Sequence, residues 1–181
     1  MYDLYKMMEP KFEDETYKEY GLEDGKYIVL TLHRDFNVDN KENLEKILKA
    51  LDEISKEKEI FLPIHPRTKK RISEFGLEKY TNNFIMSEPI GYLRFMGLVR
   101  HSWKVITDSG GLQKEAYFGN KRCIVLMPDT GWREIVDSGW NELANEDTLF
   151  EKVLSEDDGT YPENLYGDGR TGEKIVQILM Q

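Results

Sequence analysis

The 181-residue chain has a single cysteine, Cys123, so neither an intrachain disulfide nor a cysteine-rich zinc site can form. Cys123 lies inside the apolar run CIVLM and is expected to be a buried structural thiol. Positive charge is also scarce. The 25 Lys and Arg residues stand against 34 Asp and Glu, a net charge of −9 that repels a phosphate backbone over most of the surface and argues against generic nucleic-acid binding. No stretch approaches the roughly 18 consecutive apolar residues of a membrane span. The N-terminal MYDLYKMMEPKFEDE lacks the basic-then-apolar layout of a secretory signal. The expectation is a soluble, cytoplasmic protein with no membrane partner. Three further features bear on chemistry: the DSGG turn after the fourth run is not the dinucleotide fingerprint GxGxxG, and the chain has no GxxxxGK[ST] and no HExxH or comparable ligand pair, which lowers NAD, P-loop and metal readings. No metal and no cofactor are expected.

Against these absences stands a regular rhythm. With 39% hydrophobic and 33% charged residues the chain can bury one sizeable core. Five short apolar runs, at 27–32, 60–64, 83–86, 104–107 and 122–127, alternate with amphipathic stretches, as βαβ units of a parallel sheet require. Leu44, Ile47, Leu48, Leu51 and Ile54 recur at helical spacing, with Asp39 or Asn40 available as N-cap. Further helices are expected around Tyr92 to Val99, beginning near Leu112, around Leu149 to Leu154, and around Ile175 to Leu179. Residues 26–181 therefore read as one doubly wound, Rossmann-like α/β domain, preceded by a lead-in at 1–25.

Polar residues gather just after the predicted strands: His33-Arg34, His65-Pro66-Arg67, Ser87-Glu88, Asp108-Ser109-Gly110-Gly111 and Pro128-Asp129-Thr130. In an open parallel sheet these carboxyl ends share one edge, and ligands bind in the crevice outside it. Gly110 and Gly111 lack Cβ atoms, Ser109 carries a hydroxyl, and a helix N-terminus follows, so the turn reads either as a phosphate cradle or as a plain turn that uses glycine for its backbone. Glu115, one turn further, is either an acceptor for ribose hydroxyls or an acidic residue suited to a first helical turn. His33 and His65, each close to an arginine on the predicted edge, are candidates for binding phosphate or exchanging protons. His101 reads as a surface or capping residue, and Lys69-Lys70-Arg71 as a solvated helix face.

Read in order, TLHRDFNVDNKENL, PIHPRTKK, EPIGYLRF, ITDSGGLQKEA, TGWREIVDSGWN and YGDGRTGEKI resemble the C-terminal half of the non-hydrolysing UDP-N-acetylglucosamine 2-epimerases. That family has the two-domain GT-B fold. The resemblance implies a UDP-binding domain in which Ser109, Gly110 and Gly111 hold the diphosphate and Glu115 the ribose. Phe95 would border the uracil, while His33 touches the phosphates and acts catalytically as UDP departs and returns. Arg34, His65 and Arg133 complete the implied set. The implied reaction interconverts UDP-GlcNAc and UDP-ManNAc by elimination and re-addition of UDP, with a nucleotide sugar as the only cofactor-like ligand and a homodimeric full-length enzyme left open. Alternatives are the donor domain of a GT-B glycosyltransferase or a non-catalytic nucleotide-binding regulatory domain. Where family members commonly read HR-x-EN and TERPE, this chain reads HRDFN and TGWRE. Trp132 thus occupies the place of the phosphate-binding arginine, with Arg133 one residue on. The resemblance also implies that the family's N-terminal domain is missing, leaving this chain inactive by itself.

Overall fold

The computed structural model describes residues 1–156 and 159–181. Its centre is a six-stranded parallel sheet in the order β3-β2-β1-β4-β5-β6, formed by β1 (Tyr27–Thr31), β2 (Glu59–Pro63), β3 (Ile85–Ser87), β4 (Lys104–Thr107), β5 (Cys123–Val125) and β6 (Glu142–Leu143). The predicted doubly wound arrangement is therefore present. Its topology reverses between β1 and β4, which pair in register from Ile28 with Lys104 to Thr31 with Thr107. Helices in chain order are α1 (Tyr2–Met8), α2 (Thr16–Glu19), α3 (Asp35–Val38), α4 (Lys41–Ser55), α5 (Pro66–Phe75), α6 (Tyr92–His101), α7 (Gly110–Phe118), α8 (Arg133–Asp137), α9 (Leu149–Leu154) and α10 (Thr171–Leu179).

Alternation along the strands feeds two cores. Ile28 and Leu30 of β1 face a layer holding Leu44, Leu48 and Leu51 of α4, Ile72 of α5 and Val153 of α9. Tyr27 and Val29 face the opposite layer, with Tyr5, Phe12, Met96, Val99, Ala116 and Phe118. Cys123 belongs to this second core and is fully buried, and desolvation pushes its thiol far above the ordinary range, as suits an inert packing residue. The helix α4 begins as the sequence indicates, with the Asn40 side chain accepting from the Asn43 amide at 3.0 Å.

Some details differ from the sequence expectation. A sixth strand, β6, pairs with β5 through Ile124 with Glu142 and Val125 with Leu143; two half-buried residues are too few to show a periodic pattern. The third strand begins at Ile85 rather than at 83, and Phe84 enters the core from the preceding loop. The fifth is confined to three residues of the run at 122–127. Helix α7 starts at Gly110, two residues before Leu112, because Ser109 already adopts the extended backbone of an N-cap. His101 does end α6, yet its ring is half-buried, stacked on Tyr17 at 4.8 Å and bonded to Asp24 at 2.9 Å. Lys69, Lys70 and Arg71 lie on α5 in exposed or half-exposed ion pairs with Glu88, Glu74 and Asp39.

The lead-in is packed onto this frame. Tyr5, Phe12 and Leu22 are buried, and the Glu13 amide donates to the Leu93 carbonyl of α6 at 3.2 Å. Contact is closest at Gly97, where an added Cβ would lie 2.1 Å from the Glu13 carbonyl oxygen. Neither backbone can move without disturbing α6 or the segment beside it, so Gly97→Ala is expected to destabilise the fold by about 1 to 3 kcal/mol in urea unfolding, the scale of overpacking. Among the described residues no helix is long and apolar enough to cross a membrane.

Candidate functional site

At the topological switch point the carboxyl ends of β1 and β4 lie side by side, and one hydrogen-bond network ties them together. Thr31 and Thr107 share a bond between their hydroxyl oxygens at 2.5 Å, and the Thr107 hydroxyl also accepts from the Ser109 amide at 2.9 Å. Beyond them lies Asp108, with no exposed surface. Its carboxylate accepts from the amide of His33 at 2.9 Å, the amide of Arg34 at 2.8 Å and the Asn37 side chain at 3.2 Å, and meets His33 Nδ1 at 3.1 Å. Burial pushes this carboxyl up, but the His33 side chain, the two amides and Asn37 outweigh that effect and hold it below its ordinary value. Asn37, itself buried, also donates to the Leu126 carbonyl at 2.9 Å, which extends the network to the end of β5.

Around this network opens a cleft of about 290 Å³. His33, His65, Phe95, Ser109, Gly111 and Glu115, drawn from five different turns and helices, all line it, together with Pro89 and Ile90. The sequence expectation of a shared edge is thus met for six of the nine predicted site residues. The other three lie around it. Gly110 begins α7, and its carbonyl accepts from the Trp132 indole at 2.7 Å. Arg34 donates its Nε to the Asp108 carbonyl at 3.1 Å. Arg133 is exposed and ion-paired with Asp129 at 2.8 Å. Trp132 packs beside the start of α7, with Lys114 4.1 Å from its ring centre. A larger hollow of about 710 Å³ beside β3, lined by Ile64, Ile72, Phe84 and Met86 among others, contains none of the predicted site residues. Among the described residues no group of three His, Cys, Asp or Glu side chains is placed to hold a metal ion.

The donors and acceptors of the cleft have definite chemical characters. Ser109 is the N-cap of α7 without turning its hydroxyl onto the helix amides, so the first turn of a nine-residue helix offers its N–H groups and dipole to an anion. Glu115 is partly buried, hydrogen-bonded to the Tyr92 side chain, and desolvation raises its carboxyl above the ordinary value. A carboxylate in that setting gains from hydroxyl donors that arrive with a ligand. Apolar Phe95, Ile90 and Pro89 provide the wall against which a flat ring can lie.

The glycines distinguish cradle from plain turn. Neither Gly110 nor Gly111 has a positive φ, and a Cβ on Gly111 would meet nothing nearer than Met1 Cε at 3.8 Å, while one on Gly110 would meet Trp132 Nε1 at 3.6 Å. Both are ordinary contacts. The chain's own geometry does not call for glycine at either position, and glycine there even weakens the helix.

The sequence model described as UDP-N-acetylglucosamine 2-epimerase matches residues 1–180. The chain belongs to this family. A UDP-N-acetylglucosamine 2-epimerase of Methanococcus maripaludis is 44% identical in an alignment 164 residues long that covers 85% of this chain and 44% of that protein. A UDP-2,3-diacetamido-2,3-dideoxy-D-glucuronate 2-epimerase of Pseudomonas aeruginosa is 37% identical over 166 residues, covering 87% of this chain and 45% of that protein. The crystal structure of the Methanocaldococcus jannaschii UDP-GlcNAc 2-epimerase in complex with UDP-GlcNAc and UDP superimposes with a TM-score of 0.82 at 35% identity, over 99% of this chain and 52% of that one. The chain spans about half the length of the curated relatives it matches. Its doubly wound sheet is that of one half of a GT-B epimerase.

Asp108 is the residue that sequence reading passed over. It was visible only as a member of a turn; its importance lies in contacts with residues more than 70 positions away. The one available signal was the pairing of DSGG with HR-x-x-N, two motifs that become neighbours only because β1 and β4 are adjacent.

Proposed function

We propose that this chain is the nucleotide-holding half of a UDP-N-acetylglucosamine 2-epimerase, with Ser109, Gly110 and Gly111 around the diphosphate, Glu115 on the ribose and Phe95 beside the uracil. The observation that carries this reading is the pair of glycines at the start of α7, which neither backbone conformation nor packing explains. Close approach of a ligand's phosphate oxygens to the backbone does explain them. His33 and His65 face the same cleft and supply the imidazoles that such a ligand needs.

In the proposed reaction a proton leaves C2 of the sugar while the C1–O bond to UDP breaks, which gives a glycal and free UDP. UDP then adds back at C1 as a proton returns to C2 on the opposite face. Atoms and charge balance without net electron transfer, so no redox cofactor enters. The developing charge on the departing diphosphate is the part this chain would stabilise, through the α7 amides, His65 and His33. Arg34 would act from the rim, and Arg133 would join by exchanging Asp129 for a phosphate oxygen. A nucleotide-sugar substrate suits a cytoplasmic enzyme that supplies glycan synthesis.

Titration calorimetry on the 181-residue chain tests the reading. UDP is expected to bind more tightly than UMP by roughly 1 to 3 kcal/mol, the worth of added charge-assisted hydrogen bonds from one helix terminus. Gly111→Val is expected to abolish UDP binding while the thermal midpoint stays the same or rises, because a Cβ at this position meets only ordinary contacts and valine is the better helix former. Equal affinity for UDP and UMP, or unfolding of the valine variant, would return Gly111 to the role of a structural turn residue.

A further inference from the structure

We infer that the chain locks its two cleft histidines in opposite tautomers, His33 with its proton on Nδ1 and His65 with its proton on Nε2, and that Asp108 is the positioning residue for His33. The assignment follows from what each Nδ1 meets. His33 Nδ1 lies 3.1 Å from Asp108 Oδ1. A carboxylate only accepts, so Nδ1 must carry the hydrogen. Asp108 cannot turn away, since the same carboxylate takes the amides of His33 and Arg34 and the Asn37 side chain. His65 is held the other way round. Its Nδ1 caps helix α5 by accepting from the Arg67 amide at 3.1 Å, and a main-chain N–H only donates. The remaining proton of the neutral ring must therefore sit on Nε2.

The consequence is a division of labour between two rings whose centres are 5.3 Å apart. Among the described residues neither Nε2 has a hydrogen-bond partner within the chain. His65 presents a fixed N–H donor, suited to an anionic oxygen. His33 presents a lone pair when neutral and a proton when charged, so it is the ring able to exchange a proton with a ligand, with the buried Asp108 as the counterion for its charged form. An acid–base role for one imidazole and a fixed donor role for the other thus come from two unrelated local structures, a buried carboxylate and a helix N-cap.

This inference deepens the proposed reading of the cleft. Its decisive measurement uses the unliganded chain, so a wrong tautomer and a failure to bind UDP are separate results. The experiment is long-range ¹H–¹⁵N correlation NMR on ¹⁵N-histidine-labelled protein at about pH 8, where ordinary histidines are neutral. Signals are assigned with His33→Gln, His65→Asn and His101→Gln. The expected spectrum shows a protonated Nδ1 and bare Nε2 for His33, and the inverse for His65. Both rings in one tautomer would overturn the inference, whether or not any variant folds.

Asp108→Asn then tests positioning. The two main-chain amides would claim the remaining oxygen and leave the new NH₂ group facing His33 Nδ1, so His33 is expected to switch to Nε2–H while His65 keeps its pattern. A merely structural Asp108 would leave the His33 tautomer unchanged, and that outcome would remove its positioning role. His65→Asn, which can still cap α5, is expected to weaken UDP binding roughly tenfold with the fold retained, the scale of one lost hydrogen bond to a charged group. Unchanged affinity would show that His65 is not the fixed donor.

Discussion

Asp108→Ala should lower the unfolding free energy by about 3 kcal/mol or more at neutral pH, a large fraction of the stability of a domain this size. The side chain has no exposed surface, accepts from three groups and lies against the His33 ring, so truncation leaves the His33 and Arg34 amides and the Asn37 side chain without this acceptor. Each stranded donor costs about 1 to 3 kcal/mol when water cannot replace the partner, and some water entering the new space offsets part of the sum. The pH dependence has a definite sign. Asp108 is held below its ordinary value in the folded chain, so its stabilising effect is fully present above about pH 4, the unfolded carboxyl value, and fades as pH falls through the lower folded value. Urea unfolding of wild type and variant should therefore show a wide gap at pH 7 that narrows in acid. A gap that is independent of pH would mean that the carboxylate's charge contributes nothing beyond its shape.

Incubation of the 181-residue chain with UDP-GlcNAc in deuterium oxide should place no deuterium at C2, even where UDP binds. The reason lies in the cleft's inventory. Glu115 is its lining carboxylate, and the proposed ribose contact occupies it; Asp108 is sealed behind His33. The histidines are set to serve the phosphates, which leaves no group assigned to the C2 proton. The cleft is also open on one side, so water would solvate the leaving group without positioning it. In a protein spanning the full length of the relatives, turnover should appear, and His33→Ala there should lower kcat by roughly 10² or more, the scale of a lost acid–base group. Deuterium at C2 with this chain alone would show that the acid–base groups for C2 lie within these residues. An unaffected kcat in the alanine variant would show that His33 plays no part in the departure of UDP.

What the sequence settled by itself is what nearest neighbours along the chain control. Apolar runs of strand length, the α4 stripe of Leu44, Ile47, Leu48, Leu51 and Ile54 and the burial of Cys123 all follow from local periodicity and hydrophobicity, and the structure contains each of them; between Asp39 and Asn40 as the α4 cap, it is the structure that decides for Asn40. The convergence of His33, His65, Ser109, Gly111 and Glu115 was also legible, because the ends of parallel strands share an edge whatever their order. Strand β6 was not legible, since two residues carry no period, and neither was the docking of Gly97 against Glu13, which depends on how closely two backbones approach. The glycine pair at 110–111 could be read two ways until the space around each missing Cβ was known. Asp108 was decided by tertiary structure alone. A carboxylate beside a turn has no fixed meaning in sequence, but the pairing of β1 with β4 brings three donors and an imidazole onto it and excludes water, and in that setting each hydrogen bond becomes both strong and hard to replace.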